Sequence, residues 1–170
     1  TTKSYNSRIT NSSFIAESHT TASRALIHAL GCQGVDKIII DANYFEWCDN
    51  TLDGEGTYEW LNQPETDTWT PVYSGWTLGA VKRCGRDWLF SNNIVINSSE
   101  HAVYCSGMNV NISGNTIRAE NSTYCQGDVK LRSIGGVVSG NTIVAGLNGS
   151  CITVNEYSTN MTVTGNTCYS

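Results

Sequence analysis

Hydrophobic and polar positions follow one short pattern that recurs six times along the chain. The pattern reads apolar, then Ser, Thr or Asp, then Gly, Asn or Ala, then Asn, then any residue, then apolar. The copies are ITNSSF at 9–14, IDANYF at 40–45, FSNNIV at 90–95, ISGNTI at 112–117, VSGNTI at 138–143 and VTGNTC at 163–168. Only the first copy departs from the pattern, with Ser12 in place of the Asn. Such internal repetition predicts a repeat architecture.

The distance from one Asn position to the next gives the size of the repeating unit. The steps are 31, 50, 22, 26 and 25 residues. The last three are too short for a tetratricopeptide, ankyrin or propeller repeat, and they fit one turn of a parallel β-helix. The 170 residues are enough for one domain with a real core.

Each copy of the pattern predicts two short strands joined by a turn. The first apolar residue ends one strand and the last begins the next, and alternate side chains point inward. The Gly or Asn before the repeated Asn tolerates the left-handed conformation that such a turn requires. A further strand is predicted before five of the copies, at 25–30, 79–84, 101–107, 128–133 and 151–156. Residues 22–31 also fit a short helix, although their place in the repeat favours a strand.

The repeated asparagine predicts a ladder of stacked amides along the axis of the repeats. An amide both donates and accepts hydrogen bonds, so neighbouring copies can satisfy each other. An orphaned buried amide costs about 1–3 kcal/mol, and such a ladder is therefore stable only when it is nearly complete. The ladder residues are Asn43, Asn93, Asn115, Asn141 and Asn166.

The sequence Φ-S-G-N-T-I, in which Φ is apolar, resembles the repeats of right-handed parallel β-helices. Such repeats are found in pectate-lyase-like proteins, phage tailspikes and archaeal and bacterial surface proteins. The resemblance covers nearly the whole chain outside residues 46–78. It implies an all-β fold, a right-handed parallel β-helix or solenoid of about six coils, with residues 1–170 as one domain. It implies no particular activity, because this fold carries lyases, hydrolases, adhesins and inert shafts.

The step of 50 residues contains an insertion at 46–78 that interrupts the repeat. The insertion holds four of the five tryptophans, both prolines and seven acidic residues. Nothing in it alternates like a strand, so we expect a long loop excursion from one coil. Trp60, Trp69 and Trp76 are the candidates for glycan binding, because their ring faces can pack against sugars. The alternative is that these rings form a small core against the domain or a neighbouring subunit.

Charge and hydropathy exclude two classes of partner. The formal net charge is -5, and no basic patch is present that could neutralise the phosphates of a nucleic acid. No apolar run approaches the roughly 20 residues that a membrane-spanning helix needs. We therefore expect neither nucleic-acid binding nor membrane insertion.

Cysteines and glycosylation sequons favour an extracellular or cell-surface location. Seven cysteines are many for a cytosolic protein of this length, and no pair has the C-x-x-C spacing of a zinc ribbon. Cys84 and Cys105 lie 9 and 10 residues before their Asn positions, which predicts adjacent strands and a disulfide between them. Buried cysteines that act as small apolar side chains are the alternative. The candidate glycosylation sites are Asn11, Asn97, Asn111, Asn121, Asn148 and Asn160.

No catalytic constellation stands out from the sequence. Acidic pairs in the insertion have the composition that glycan cleavage needs, but such pairs are common in any acidic loop. Asp128, Lys130 and Arg132 alternate outward on one predicted strand and fit either a lyase-like face or a solvated face of paired charges. The three histidines lie far apart and suggest no triad or metal site. We predict no catalytic residue, no metal and no cofactor, and the balance favours a protein that is not an enzyme.

Two functions of different classes fit these features. The first is an extracellular structural or adhesive subunit that stacks end to end on copies of itself into a filament or surface layer. The cysteine content and the low charge favour it. Neither end has the pattern of a polar cap, so either the cap belongs to a longer parent chain or the ends stack on neighbouring subunits. The alternative is a polysaccharide-binding or polysaccharide-degrading protein, a lyase or hydrolase, which the Trp-rich loop favours.

Overall fold

The computed structural model describes residues 7–15, 30–31, 37–46, 52–54, 85–98, 101–120, 128–147, 149–154 and 158–169. Every regular element within these ranges is a β-strand, and every strand pair is parallel. None of the described residues forms a helix that could cross a membrane. The chain is therefore all-β over its described part, with parallel sheets.

The strands recur in the same order along the chain. They are β1 Arg8–Thr10, β2 Ser13–Ile15, β3 Leu30–Gly31, β4 Ile39–Asp41, β5 Tyr44–Glu46, β6 Leu52–Gly54, β7 Gly85–Ser91, β8 Ile94–Ile96, β9 His101–Ser113, β10 Thr116–Arg118, β11 Asp128–Ser139, β12 Thr142–Val144, β13 Ile152–Val154, β14 Thr159–Thr164 and β15 Thr167–Tyr169. One group of them forms a six-stranded sheet and the other a nine-stranded sheet.

The six-stranded sheet contains the short strand that comes after the Asn position in each repeat. Its order is β15-β12-β10-β8-β5-β2, so that each repeat lies beside the next. The register is in phase, because Ile117 lies opposite Ile143 on one side and Val95 on the other. Equivalent residues of the sequence pattern therefore stack directly on one another.

The nine-stranded sheet contains the strands that precede the Asn position. Its two long strands, β9 and β11, each pair along their length with two shorter strands of a neighbouring repeat. Thus β9 pairs with β6 and then β7, and β11 pairs with β13 and then β14. Two rows of short strands are in this way joined into one sheet.

Two turn positions recur with a left-handed backbone among the described repeats. One is the residue before the Asn position: Asn11, Ala42, Asn92, Gly114, Gly140 and Gly165. The other lies further upstream, at Lys37, Asp87, Asn109, Gly135 and Asn160. The first position was predicted from its Gly and Asn content. The second carries four different residue types, so the sequence pattern does not mark it.

The core consists of inward-pointing side chains at equivalent positions of successive repeats, which form the inward rows that the alternation predicts. In the middle repeats these rows are fully buried, as Ile40, Phe90, Ile112 and Val138 before the turn, and Phe45, Val95, Ile117 and Ile143 after it. Aromatic rings continue the second row, since Phe14 stacks on Phe45 with centroids 4.9 Å apart. At the last repeat the same positions are open, and Val163 is 48% exposed. The inward rows are therefore confirmed in the middle of the molecule and end in exposed apolar side chains.

Part of the predicted insertion belongs to the sheets. Glu46 lies in β5, and Leu52–Gly54 forms β6, which pairs with both β3 and β9. A strand of three residues is too short to show alternation in the sequence, and the loop expected over 46–78 therefore includes a strand at β6. Residues 79–84, predicted as a strand, lie outside the described residues. The strand beside Val103 in β9 is β6.

Gly136 replaces an apolar residue in the inward row of β11. Its neighbours at the same position are Val110 and Met161. The backbone at Gly136 has a φ of 130°, and a Cβ there would lie 2.2 Å from the Val110 carbonyl oxygen. The two repeats thus approach so closely that only glycine fits.

Candidate functional site

The five repeated asparagines form one column that runs through the stacked repeats. Asn115 shows the pattern of a central member. Its Oδ1 accepts hydrogen bonds from the backbone N–H of Asn93 at 2.9 Å and from the Asn93 Nδ2 at 3.1 Å. Its own Nδ2 donates to Asn141 Oδ1 at 2.9 Å and to the Phe90 carbonyl oxygen at 2.9 Å. Each amide is therefore bonded to the repeat before it and to the repeat after it.

The column is buried except at its last member. Asn43, Asn93, Asn115 and Asn141 are at most 3% exposed. Asn166 is half-buried, and its Nδ2 donates to the Val138 carbonyl oxygen at 2.9 Å. Its Oδ1 accepts from the Asn141 N–H and Nδ2, so the side of Asn166 that faces the preceding repeat is satisfied.

Ser12 ends the column at the opposite edge in a different way. The Ser12 N–H donates to Asn43 Oδ1 at 3.0 Å, as an asparagine at this position would do. Its hydroxyl, however, donates to the carbonyl oxygen of Thr10 in the same repeat, at 3.1 Å. In the other repeats the side chain donates to the carbonyl of a preceding repeat. The departure of the first copy from the sequence pattern thus matches its position at the edge of the described stack.

The last repeat presents an exposed edge with both apolar and polar groups. Each of its strands, β13, β14 and β15, contributes an exposed apolar side chain: Val154 at 40%, Val163 at 48% and Tyr169 at 57%. Among the described strands, none pairs with β14 or β15 on the side away from β11 and β12. By the pattern of the column, the Asn166 N–H and Nδ2 are the donors, and the Val163 carbonyl is the acceptor, that a further repeat would use.

A polar cluster lies on the outside of the turns. Asp41 Oδ1 accepts hydrogen bonds from Ser91 Oγ at 2.7 Å and from Asn92 Nδ2 at 2.9 Å. These hydrogen bonds stabilise the carboxylate and lower the pKa of Asp41 below its ordinary value of 3.8. The cluster joins two neighbouring repeats at the surface.

A His–Asp pair that the sequence pattern does not mark lies at the start of β9 and β11. His101 Nδ1 and Asp128 Oδ1 are 2.5 Å apart, and Asp128 is only 4% exposed. The outward solvated or lyase-like face expected at Asp128 is therefore wrong for this residue, which is buried against its partner. His101 is the first residue of β9 and Asp128 is the first residue of β11, the strands that precede the Asn position in successive repeats. This equivalent position in the two repeats is the sequence signal that could have revealed the pair.

Three of the candidate glycosylation sites are open to solvent to different degrees. Asn11 and Asn160 are exposed, and Asn111 is half-buried. Asn97 is only 6% exposed, and this burial argues against a glycan on its amide. The remaining sequons lie outside the described residues: Asn121 and Asn148.

The other predicted site residues are mostly beyond the described ranges. The glycan-binding candidates all lie outside them: Trp60, Trp69 and Trp76. Cys84 also lies outside them, while Cys105 in β9 has Gly54 and Leu131 opposite it on the two adjacent strands. Glycan binding and the Cys84–Cys105 disulfide therefore stay predictions. Among the described residues, no group of three or more His, Cys, Asp and Glu side chains is placed to hold a metal ion.

Comparisons of the chain with protein-family models, with curated proteins and with solved structures give no match. The function has to be inferred from the geometry of the chain's own residues.

Proposed function

We propose that the chain is a right-handed parallel β-helix of about six coils and acts as an extracellular structural or adhesive subunit. In this proposal its copies stack end to end into a filament or surface layer. The in-phase stacking of successive repeats in both sheets supports the β-helix, and parallel crossover connections are right-handed in about 98% of cases. The cysteine content and the exposed sequons Asn11 and Asn160 support an extracellular location.

The observation that carries the proposal is the exposed edge of the last described repeat. A sheet edge with unpaired backbone groups is a template for a further strand. The apolar rows that are fully buried in the middle of the molecule are open there, and covering them would remove apolar surface from water. One more repeat placed on this edge would restore the environment that every central repeat has.

The first repeat of a second copy offers matching groups. Ile9 and Phe14 are partly buried members of the same inward rows that end in Val163 and Cys168. The Ser12 hydroxyl oxygen donates within its own repeat and retains lone pairs that can accept from Asn166. Such a contact joins two different surfaces, and a head-to-tail contact that does not close by rotation gives an open filament.

The test is sedimentation velocity together with negative-stain electron microscopy of the purified chain over a range of concentrations. We expect the average mass to rise with concentration and filaments to appear. Val163→Lys should abolish this assembly, because a lysine on an edge strand opposes pairing. Ile94→Lys is the matched control, since Ile94 is exposed to a similar degree, 44%, but lies in the middle of the six-stranded sheet.

A parent chain that stays monomeric at all concentrations would overturn the proposal. So would equal assembly of the Val163→Lys and Ile94→Lys chains, because the last repeat would then not be the contact. In either case polysaccharide binding through the Trp-rich segment becomes the function to test.

A further inference from the structure

Two thiols lie together in the last repeat. Cys151 immediately precedes β13 at the edge of the nine-stranded sheet, and Cys168 lies in β15 of the six-stranded sheet, opposite Ile143. The Cys151 Sγ is 3.4 Å from the Tyr169 carbonyl oxygen and 3.7 Å from the Ile143 carbonyl oxygen. The Cys168 side chain acts on the Cys151 thiol, and neither cysteine is part of a disulfide. Residues that are far apart in the pattern of the repeat thus meet across the two sheets.

We propose that Cys151 and Cys168 are a redox site that forms an intrachain disulfide in the presence of a small-molecule disulfide oxidant. Cys168 is exposed and can be reached by the oxidant, whereas Cys151 is half-buried against the core. The pairing ties the last strand of one sheet to the edge of the other. The pairing involves only groups of one chain, but a second copy stacked on this edge would cover Cys168, so the reaction is tested on the dilute chain.

The reaction proceeds by ordinary thiol–disulfide exchange. The Cys168 thiol loses its proton, and its sulfur attacks the oxidant, whose S–S bond breaks and releases one small thiol. Cys151 then loses its proton and attacks the Cys168 sulfur, which releases the second small thiol. Two protein thiols are oxidised by two electrons, one disulfide is reduced to two thiols, and the two protons pass to those thiols.

Proton loss from Cys151 limits the second step. Burial, and then the hydrogen bond with Cys168, raise the pKa of Cys151 to about 11. The attacking species is the thiolate, so ring closure should accelerate about tenfold for each unit of pH until the pH reaches this pKa. Cys168 is the titratable side chain that faces Cys151 among the described residues.

Formation of the bond should stabilise the end of the molecule. It closes the segment 151–168 and restricts the unfolded chain, which for a loop of this size corresponds to a Tm increase of about 5–10 °C in a protein of this length. The oxidised protein should lose this increase on addition of a reductant.

The sequence allows the pair to be isolated from the other cysteines. After Arg132 the chain has no Lys or Arg, so trypsin releases 133–170, in which Cys151 and Cys168 are the only cysteines. Glu156 is the only acidic residue in this fragment, and cleavage after it separates the two cysteines. The purified chain is incubated with oxidised glutathione at pH 7 and pH 9, alkylated, digested with both proteases without reduction and analysed by mass spectrometry.

We expect 133–156 and 157–170 to remain linked until a reductant is added, and to link faster at pH 9. Cys168→Ser should leave Cys151 open to alkylation and should show no increase in Tm with the oxidant. Complete alkylation of both cysteines after oxidation would overturn the proposal. A link from either cysteine to another fragment or to a second copy of the chain would overturn it as well.

Discussion

Each central asparagine of the column has four hydrogen-bonding positions, and its neighbours occupy all four. The two Nδ2 protons of Asn93 go to Asn115 Oδ1 and to the Ile40 carbonyl oxygen, and its Oδ1 accepts two bonds from Asn43. No other side chain of similar size has two donors and two acceptor positions in this arrangement. Aspartate lacks the donors, and leucine lacks all four groups.

Asn141→Leu is the substitution that tests the column at a buried member. It keeps the volume but removes the acceptor for the Asn115 N–H and Nδ2 and the donor for the Ile112 carbonyl oxygen. Three buried polar groups are then orphaned, which should cost about 3–5 kcal/mol and lower the Tm by roughly 10 °C or more. Thermal and urea unfolding measured by circular dichroism give the change.

Asn166→Leu is the control for this prediction. Asn166 makes the same bonds toward the preceding repeat, but it lies at the open edge of the described stack and is half-buried, so water can approach the Asn141 and Val138 groups from that side. We expect a cost of about 1 kcal/mol. Equal costs for Asn141→Leu and Asn166→Leu, or a Tm of Asn141→Leu within a degree of the parent, would contradict the role of burial in the column.

Most strands that surround the column are only three residues long, for example Ile94–Ile96 and Thr142–Val144. A strand of this length has too few ladder bonds to be stable alone. It is held by parallel neighbours on both sides and by the inward residue at its centre, such as Val95 or Ile143, which is fully buried. Each element is therefore stable only as part of the stack.

Gly136→Ala is the corresponding test at the scale of the element. The added Cβ would meet the Val110 carbonyl oxygen, and a φ of 130° is strained for any residue with a Cβ. The strain alone costs about 1–3 kcal/mol, and displacement of β11 from β9 adds to it. We expect the urea midpoint to fall by more than it does in the control.

The control is Gly140→Ala in the turn after β11. Gly140 also has a positive φ, of 63°, but its nearest neighbour would be 4.0 Å from the new Cβ. Ala42 occupies the same turn position in another repeat, so alanine is tolerated there at a cost of about 1–2 kcal/mol. If the two substitutions lower the midpoint equally, the close approach of Gly136 to β9 is not what constrains this position.

At the scale of the whole molecule, each repeat depends on its neighbours more than on distant parts of the chain. The stability of such arrays is approximately a sum of repeat terms and nearest-neighbour interface terms. The central repeats have a neighbour on both sides, whereas the last described repeat has one among the described strands, and its Val163 is exposed where Val138 in the preceding repeat is not. The two edges should therefore open before the centre does.

Amide hydrogen exchange measures this gradient. We expect the slowest exchange at the backbone amides of the central column, such as Asn93 and Asn115, and the fastest at the edge, including Asn166. Under conditions in which the chain assembles, the protection of Asn166 should increase. Uniform protection across all repeats in the dilute chain would show instead that it unfolds as one cooperative unit.

The sequence by itself determined the repeat, the inward rows and the main turn. A repeated pattern of an apolar residue, a polar residue, a turn residue and Asn is satisfied when successive repeats lie side by side as parallel strands with equivalent residues paired. The inward rows at Ile40, Phe90 and Ile112 and the turn before each Asn could therefore be predicted, and the structure confirms them. These features depend on local alternation and on the left-handed backbone that glycine and asparagine tolerate.

Only the tertiary structure decided how different repeats meet. The strand β6, the His101–Asp128 pair and the approach of Cys151 to Cys168 join segments whose relative register no single repeat specifies. Register across a gap in the pattern, such as the one between β6 and β7, depends on which strand completes the sheet and which side chains fill the core. The physical reason is that a local pattern fixes the side of a strand on which a residue lies, while its partners are fixed by packing between repeats.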